Sequence, residues 1–257
     1  TQNPEPRTLN PEPGTPMIGI IGYGRFGRLA ARYLAKDYPV LVCGRRDLSP
    51  DNMPEGVRVA SFHDVCNQRI VIPCMPISSF REVLAAAAPL MRPDALVVDV
   101  CSVKEKPVRW MKAALPETVS ILGTHPMFGP DSASAGLEGM KIALCRVRIN
   151  DDLYGKVVAY LSRSGLAIIE TTPEEHDRQI AVSLALTHFI GRSLAAFGAR
   201  ELAIDTEGYK RLLHILGVVE HDTRQLFIDM HRYNPYAKEM RTTFMNAMAE
   251  VESELNS

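Results

Sequence analysis

Three glycines near the start of the chain, Gly22, Gly24 and Gly27, stand between a short apolar run and a helical pattern. The run Ile18–Ile21 is typical of a buried strand, and Arg25–Lys36 carries apolar residues at helical spacing. In this setting the first glycine permits a tight turn, the second lets the backbone approach a pyrophosphate, and the third allows close helix packing. The helix N-terminus attracts phosphate charge. The segment therefore predicts the opening βαβ unit of a doubly wound, Rossmann-type sheet that binds a dinucleotide.

Strand and helix patterns alternate up to about residue 172, which predicts an α/β domain with a mostly parallel, buried sheet. Its further strands are predicted at Val40–Cys43, Arg69–Pro73, Ala95–Val100, Ser120–Leu122, Ile142–Cys145 and Leu166–Glu170, with helices at Ser79–Leu90 and Leu153–Ser164. After Pro173 only helical patterns remain, and they cover Glu174–Phe197, Gly208–Val219, His221–Arg232 and Tyr236–Leu255. We expect a dinucleotide-binding domain over residues 17–172 and an all-α dimerisation domain over residues 173–257. An intramolecular helical bundle is the alternative for the second domain.

The composition narrows the class of protein. A length of 257 residues favours two hydrophobic cores. The formal net charge of -1 gives the chain no overall positive charge with which to bind nucleic acid or an anionic membrane. Residues 1–16 contain five prolines and are expected to form a flexible tail. Five scattered cysteines indicate reduced thiols, and we find no signal-peptide pattern and no uninterrupted apolar run long enough to span a bilayer, so a cytoplasmic protein is expected. Because Thr1 replaces an initiator methionine, both a processed chain and a fragment of a longer one remain open.

The end of the second strand bears on the choice of dinucleotide. An acidic residue there would bind the ribose 2′-hydroxyl of NAD, whereas Arg45 and Arg46 suit the 2′-phosphate of NADP. Asp47 has the spacing of the NAD fingerprint but follows both arginines. We therefore predict NADP over NAD, with a solvated arginine pair as the structural alternative. The residues predicted to bind the cofactor are Gly22, Gly24, Arg25, Phe26, Gly27, Arg45, Arg46, Cys74, Met75 and Ser102.

One histidine, His125, lies in the segment Gly123-Thr124-His125-Pro126 about 100 residues after the glycines. Because glycine and proline flank it, we expect its imidazole on a loop at a domain edge, with a pKa near the ordinary value. There it would accept a proton from a substrate hydroxyl. Ser102, just beyond a buried strand, would orient the histidine and contact the cofactor, and Lys104 would attract a substrate carboxylate. Loop packing is the alternative for each of these residues.

Two further histidines, His176 and His188, are 12 residues apart on the first predicted helix of the second domain, which places them near one face. No third ligand occurs at helical spacing, so we predict no metal site. His188 is expected to face the cleft between the domains. The alternative is a buried histidine whose ring nitrogens are hydrogen-bonded within the protein.

Taken together, the motifs resemble those of the prephenate/arogenate dehydrogenases of tyrosine biosynthesis. The matching segments are GYGRFG from Gly22, DVCSVKE from Asp99, THPMFGPDS from Thr124, EEHD from Glu174, THFIGR from Thr187, TEGYKRLL from Thr206 and HRYNPYA from His231. The resemblance implies oxidative decarboxylation: a hydride leaves the ring carbon that bears the 4-hydroxyl, His125 takes the hydroxyl proton, and the ring carboxylate departs as carbon dioxide. It also implies a homodimer formed through the helical domain.

The substrate's side chain separates two activities within this family. Arogenate carries an amino group, which a carboxylate would attract, whereas prephenate carries a keto acid. Arogenate-using relatives are similar in having an acidic residue that aligns with Asp222, and they tend to use NADP. An Ile-Gly-Arg stretch of prephenate-specific members is replaced here by Ile215-Leu216-Gly217-Val218, so the side-chain carboxylate falls to Arg192, Lys210 or Arg211. The substrate-binding prediction is His125, Lys104, His188, Asp222, Arg192, Lys210 and Arg211.

The sequence thus predicts an NADP-dependent arogenate dehydrogenase that converts arogenate to tyrosine. The alternatives are a prephenate dehydrogenase that makes 4-hydroxyphenylpyruvate and a catalytically silent NADP-binding regulator. The alternative for Asp222 is a structural role, in which its carboxylate lies at the start of a helix and stabilises that helix without contacting substrate.

Overall fold

The structure, a computed structural model, describes residues 16–220 and 222–256. The predicted tail lies outside these residues except for Pro16, and the predicted helix start at His221 also lies outside them. The described strands are β1 (Ile18–Ile21), β2 (Val40–Cys43), β3 (Val57–Val59), β4 (Ile70–Pro73), β5 (Leu96–Asp99), β6 (Ser120–Pro126), β7 (Lys141–Arg148) and β8 (Ala167–Glu170). The described helices are α1 (Arg25–Leu34), α2 (Phe62–Cys66), α3 (Ile77–Ala87), α4 (Glu105–Ala114), α5 (Asp151–Arg163), α6 (Pro173–Ile180), α7 (Leu186–Phe197), α8 (Glu207–Glu220), α9 (Arg224–Tyr233) and α10 (Ala237–Leu255).

The strands form one sheet in the order β3-β2-β1-β4-β5-β6-β7-β8. All neighbouring strands are parallel except β6 and β7, which pair antiparallel. Strands β1 and β2 are buried along their whole length, as expected for β-branched and other apolar runs covered by helices on both faces. The order changes direction between β1 and β4, which is the position where such sheets bind dinucleotides.

Among the described residues after β8, helices joined by loops are present and no strand occurs. A π-helical stretch, Ala181–Ala185, joins α6 to α7, and a short glycine-capped turn ends α7 at Gly198. Gly191 in α7 allows close contact with α8, because a Cβ there would lie 2.6 Å from the Val219 side chain. The buried Asp229 carboxylate of α9 accepts hydrogen bonds from the backbone N–H and the hydroxyl of Ser78, at 3.0 and 2.9 Å. The helices therefore pack against the nucleotide-binding part of the chain.

The segment Pro173–Phe197 is 25 residues long and has a mean hydropathy of 1.5 over its most apolar window. By length and composition alone it is long enough to cross a membrane, although charged residues interrupt it, and one such helix is weak evidence for a membrane span. Buried polar side chains within it, His176, Asp177 and His188, are typical of a helix packed inside a protein.

Candidate active site at the edge of the sheet

The glycine turn after β1 has the shape that a dinucleotide diphosphate requires. Gly22 has a φ of +103°, and a Cβ on it would lie 2.4 Å from the Cys74 carbonyl. A Cβ on Gly27 would lie 2.1 Å from the Gly22 carbonyl, whereas a Cβ on Gly24 would meet nothing within 4 Å. Two glycines are thus required by backbone crowding and one opens toward free space. Because Gly24 caps α1 without a side chain, the first N–H groups of the helix remain available to an anion. The residues present therefore fit a dinucleotide.

A cavity of about 820 Å³ lies beside this turn. Arg28 and Arg32 of α1 line it, together with Asp47 after β2. Arg45 and Arg46, predicted to bind a 2′-phosphate, are exposed and are not among the described residues that line the cavity. The structure thus places two additional cations and the acidic residue of the NAD fingerprint at the nucleotide end of the site.

Three other predicted cofactor residues lie around the turn. The Cys74 and Met75 backbone packs against Gly22, and burial raises the pKa of the Cys74 thiol to about 12. Arg25 binds both carboxylate oxygens of Asp131, at 2.8 and 2.6 Å, and so connects the turn to the segment that follows β6. Phe26 is half-buried in the first turn of α1.

His125 lies in a strand, so the prediction of a loop is wrong. It is the sixth of the seven residues of β6 and pairs with Ala143 of β7, because this strand edge tolerates the proline that follows. Its side chain is 6% exposed. Burial, with additional contributions from His176 and Lys104, holds the pKa of His125 well below 6.5. The expectation of an ordinary pKa is therefore also wrong, and the imidazole is a neutral base at physiological pH.

A second histidine and a carboxylate extend from His125 into the protein. The His125 Nδ1 and His176 Nε2 atoms are 2.9 Å apart, and His176 Nδ1 is 2.8 Å from Asp177 Oδ1. All three side chains are buried. The Asp177 carboxylate also accepts hydrogen bonds from the Lys104 and Glu105 backbone N–H groups, at 2.6 and 3.0 Å, and so caps α4. The sequence had suggested His176 only as a poor metal ligand, although the EEHD segment contains the whole pair.

The structure shows which internal partners Lys104 and Ser102 have. The Lys104 side chain is fully buried, and its ammonium donates to the Asp99 carboxylate and to the Thr124 carbonyl. Lys104 therefore has internal partners instead of the predicted contact with a substrate carboxylate. The Ser102 hydroxyl is buried and has no hydrogen-bond partner among the described residues, so His176 rather than Ser102 is bonded to His125.

A polar cluster lies about three helical turns from His176, around His188 of α7. His188 Nε2 is 3.5 Å from an Asp222 carboxylate oxygen, and Arg192 Nη2 donates to the Asp222 carbonyl at 2.5 Å. Within the described residues, His188 Nδ1 and Arg192 Nε are buried without a partner. Burial lowers the pKa of His188. The structure thus brings together three of the residues predicted to bind substrate.

The other two candidate cations lie elsewhere on α8. Lys210 and Arg211 are exposed, and Lys210 Nζ is 3.7 Å from an Asp205 carboxylate oxygen. Arg192 is therefore the candidate for binding a substrate's side-chain carboxylate, because it alone of the three is part of the buried cluster.

Two family models match the chain. The model described as the nucleotide-binding domain of prephenate dehydrogenase matches residues 54–163, and one described as a TYRAAT1-like C-terminal domain matches residues 193–257.

Named relatives cover almost the whole chain. Arogenate dehydrogenase 2, chloroplastic, of Arabidopsis thaliana is 32% identical over 248 residues, which is 93% of this chain and 69% of that protein. Arogenate dehydrogenase 1, chloroplastic, of the same plant is also 32% identical, with 39% of its length covered. The probable arogenate/prephenate dehydrogenase of Methanocaldococcus jannaschii is 30% identical over 91% of this chain and 55% of its own length. The chain thus spans less than two thirds of two of these relatives.

Two solved structures share the fold. The arogenate dehydrogenase of Synechocystis matches with a TM-score of 0.70 at 17% identity, covering 93% of this chain and 92% of that one. The A. aeolicus prephenate dehydrogenase, solved with hydroxyphenyl propionate and NAD+, matches with a TM-score of 0.72 at 19% identity, covering 95% and 92%. At these identities the likeness concerns the fold alone.

Proposed function

We propose that this chain, which belongs to the prephenate/arogenate dehydrogenase family, converts arogenate to tyrosine. The reaction is an oxidative decarboxylation with NADP as the hydride acceptor. The observation that carries the proposal is the buried, neutral His125 imidazole at the carboxyl edge of the sheet that also holds the glycine turn. A bound nicotinamide would supply the hydride acceptor. His125 would accept the proton of the 4-hydroxyl, and loss of the ring carboxylate as carbon dioxide would leave an aromatic ring.

Recognition of an amino-acid side chain is supported by the cluster around His188. The Asp222 carboxylate is partly exposed and suits the ammonium group of arogenate, and the Arg192 guanidinium beside it suits the carboxylate. Prephenate, which has no ammonium group, would offer the Asp222 carboxylate no cation to pair with. In this arrangement the ring hydroxyl lies toward His125 and the amino acid lies toward Asp222.

An Asp222→Asn variant tests this assignment. A hydrogen bond to a charged group contributes about 1.5–3 kcal/mol, so we expect the arogenate-to-prephenate ratio of kcat/KM to fall roughly 10- to 100-fold. Asp205→Asn is the matched control, because Asp205 belongs to the same helical region but pairs with Lys210. An unchanged ratio in Asp222→Asn would remove the ammonium contact. Wild-type turnover of prephenate alone would establish a prephenate dehydrogenase, and turnover of neither substrate would favour a silent cofactor-binding protein.

The choice of NADP is supported by Arg28 and Arg32, which line the cavity beside the glycine turn, and by Arg45 and Arg46, which directly follow β2. Asp47 is the feature that favours NAD. Titration of the protein with each cofactor separates the two, and Arg45→Ala/Arg46→Ala is expected to weaken NADP binding while NAD binding stays unchanged. Equal losses for both cofactors would argue against a 2′-phosphate site at these residues.

A homodimer through the helical part of the chain is supported by exposed apolar side chains on α10. Met245, Met248, Val251 and Leu255 are each at least half exposed in the single chain, which is typical of a surface that a partner covers. Sedimentation analysis of the wild type and of Met248→Glu/Val251→Glu tests the proposal. A wild type that remains monomeric would contradict it.

A further inference from the structure

We propose that His176 is a positioning residue that holds His125 with its proton on Nδ1, so that the unprotonated Nε2 is left for the substrate hydroxyl. This inference rests on the proposed function, in which His125 accepts a proton. The contacts that carry it are the two short distances from His125 to His176 and from His176 to Asp177, 2.9 and 2.8 Å.

The order of donors begins at Asp177. Its fully buried carboxylate faces two backbone N–H groups at the N-terminus of α4 and the Nδ1 atom of His176. A carboxylate oxygen can only accept hydrogen bonds. His176 must therefore carry a proton on Nδ1 and donate it to Asp177.

The state of His176 Nε2 then decides the tautomer of His125. In a neutral His176, Nε2 is an acceptor, so His125 Nδ1 must donate and His125 Nε2 keeps its lone pair. In a His176 imidazolium, Nε2–H would donate to His125 Nδ1 and force the opposite tautomer. The proposed function requires the first arrangement, because only there does His125 Nε2 keep the lone pair that accepts the hydroxyl proton.

The geometry leaves His125 Nε2 free for this task. Among the described residues no protein group bonds to this atom, and it is not among the fully buried polar atoms without a partner. A histidine with its proton on the nitrogen that faces substrate cannot accept the hydroxyl proton. Losing the tautomer should therefore reduce turnover and leave the cofactor site, which lies at the glycine turn, intact.

Histidine tautomers are read directly by two-dimensional ¹H–¹⁵N NMR of ¹⁵N-histidine-labelled protein, with His125 assigned by comparison with His125→Asn. We expect the wild type to show protonated Nδ1 and unprotonated Nε2 in His125. His176→Leu removes the acceptor and should shift His125 toward protonated Nε2. His176→Gln, whose amide oxygen reaches the place of Nε2, should retain the wild-type tautomer. The control is His63→Leu, because His63 also lies beside an aspartate but is 64% exposed.

Steady-state kinetics supply the second readout. We expect His176→Leu to lose about 10²-fold or more in kcat, with the KM of NADP and the dissociation constant of the cofactor unchanged within twofold, and His176→Gln to recover part of the loss. A wild-type His125 protonated on Nε2 would overturn the inference without any variant. So would a lowered kcat in His176→Leu without a change of tautomer, or a changed tautomer with full turnover.

The NMR experiment needs neither substrate nor cofactor. If the wild type turns over neither arogenate nor prephenate, the proposed function fails while the tautomer of His125 is still decided. If the wild type is active and its His125 is protonated on Nε2, the inference fails together with the role of His125, while the proposed dehydrogenase activity stands.

Discussion

Replacing Lys104 with methionine is expected to destabilise the fold instead of weakening substrate binding. The Lys104 ammonium pairs with the Asp99 carboxylate, and both side chains are fully buried. Removing one partner of a buried ion pair leaves an uncompensated charge, which lowers the free energy of unfolding by about 3–5 kcal/mol. Asp99 keeps a hydrogen bond from the Cys101 backbone N–H at 2.8 Å, so we expect the lower end, about 3 kcal/mol.

For a protein of this size, 1 kcal/mol corresponds to about 2–4 °C in Tm, so Lys104→Met should lower Tm by roughly 6–12 °C. Urea unfolding and calorimetry measure the lost free energy of unfolding. The kcat and KM for arogenate are determined at a temperature 20 degrees lower than the Tm of the variant, where the variant is folded. The matched control is Lys156→Met. Lys156 also contacts an aspartate, Asp152, at 2.6 Å, but both side chains are more than two thirds exposed, so the change should stay within about 1 kcal/mol.

A second variant separates lost charge compensation from altered packing. Asp99→Asn combined with Lys104→Met removes both charges and should recover part of the lost stability. The reasoning is refuted if Lys104→Met keeps the wild-type Tm and raises the KM of the substrate tenfold. That result would return Lys104 to the role of a substrate ligand.

Three other predictions follow from burial and backbone crowding. Because burial holds the pKa of His125 well below 6.5, the acidic limb of kcat/KM should lie below pH 6.5, and a limb at pH 7 would contradict this. Gly27→Ala, whose Cβ would lie 2.1 Å from a backbone carbonyl, should lower Tm, whereas Gly24→Ala should keep Tm and weaken cofactor binding in a titration. Burial, with Arg241 nearby, lowers the pKa of His231 to about 4. The free energy of unfolding should therefore be unaffected by His231 above pH 6.5 and fall as the pH drops from 6.5 toward 4, because the unfolded chain binds a proton there that the folded chain does not. His231→Phe should flatten Tm over this range, and an unchanged slope would exclude His231 as the cause.

Local patterns were sufficient to predict most of the nucleotide-binding fold. Strands β1 and β2 have the predicted bounds, because each is a continuous apolar run between turn residues. Strand β3 and helix α2 were not predicted, since three and five residues are too short to show a period. Helix α4 was also missed, because a proline interrupts its pattern in the first turn, where a helix tolerates it.

The site was harder to predict than the fold because its contacts join distant segments. Gly123 and Pro126 suggested a loop around His125, but pairing of β6 with β7 keeps the histidine in the sheet. His176 is 51 residues from His125, and nothing in the local pattern of either segment shows that their rings meet. The charge of Lys104 suggested a ligand for an anion, whereas its partner Asp99 lies five residues earlier in the same buried segment.

The surroundings of His125, the proposed proton acceptor, come from both parts of the chain, and Asp177 is the group that joins them. Its carboxylate caps α4, which follows β5 of the sheet, and its own backbone carbonyl accepts a hydrogen bond from Asn234 at 2.7 Å, beyond the end of α9. Since Asp177 also orders the His176 ring, the orientation of His125 depends on how the helices pack against the sheet. In the proposed arrangement His176 of α6 orients His125, and His188 of α7 belongs to the cluster at the other end of the substrate site, so one continuous helical segment, Pro173–Phe197, contributes to both ends.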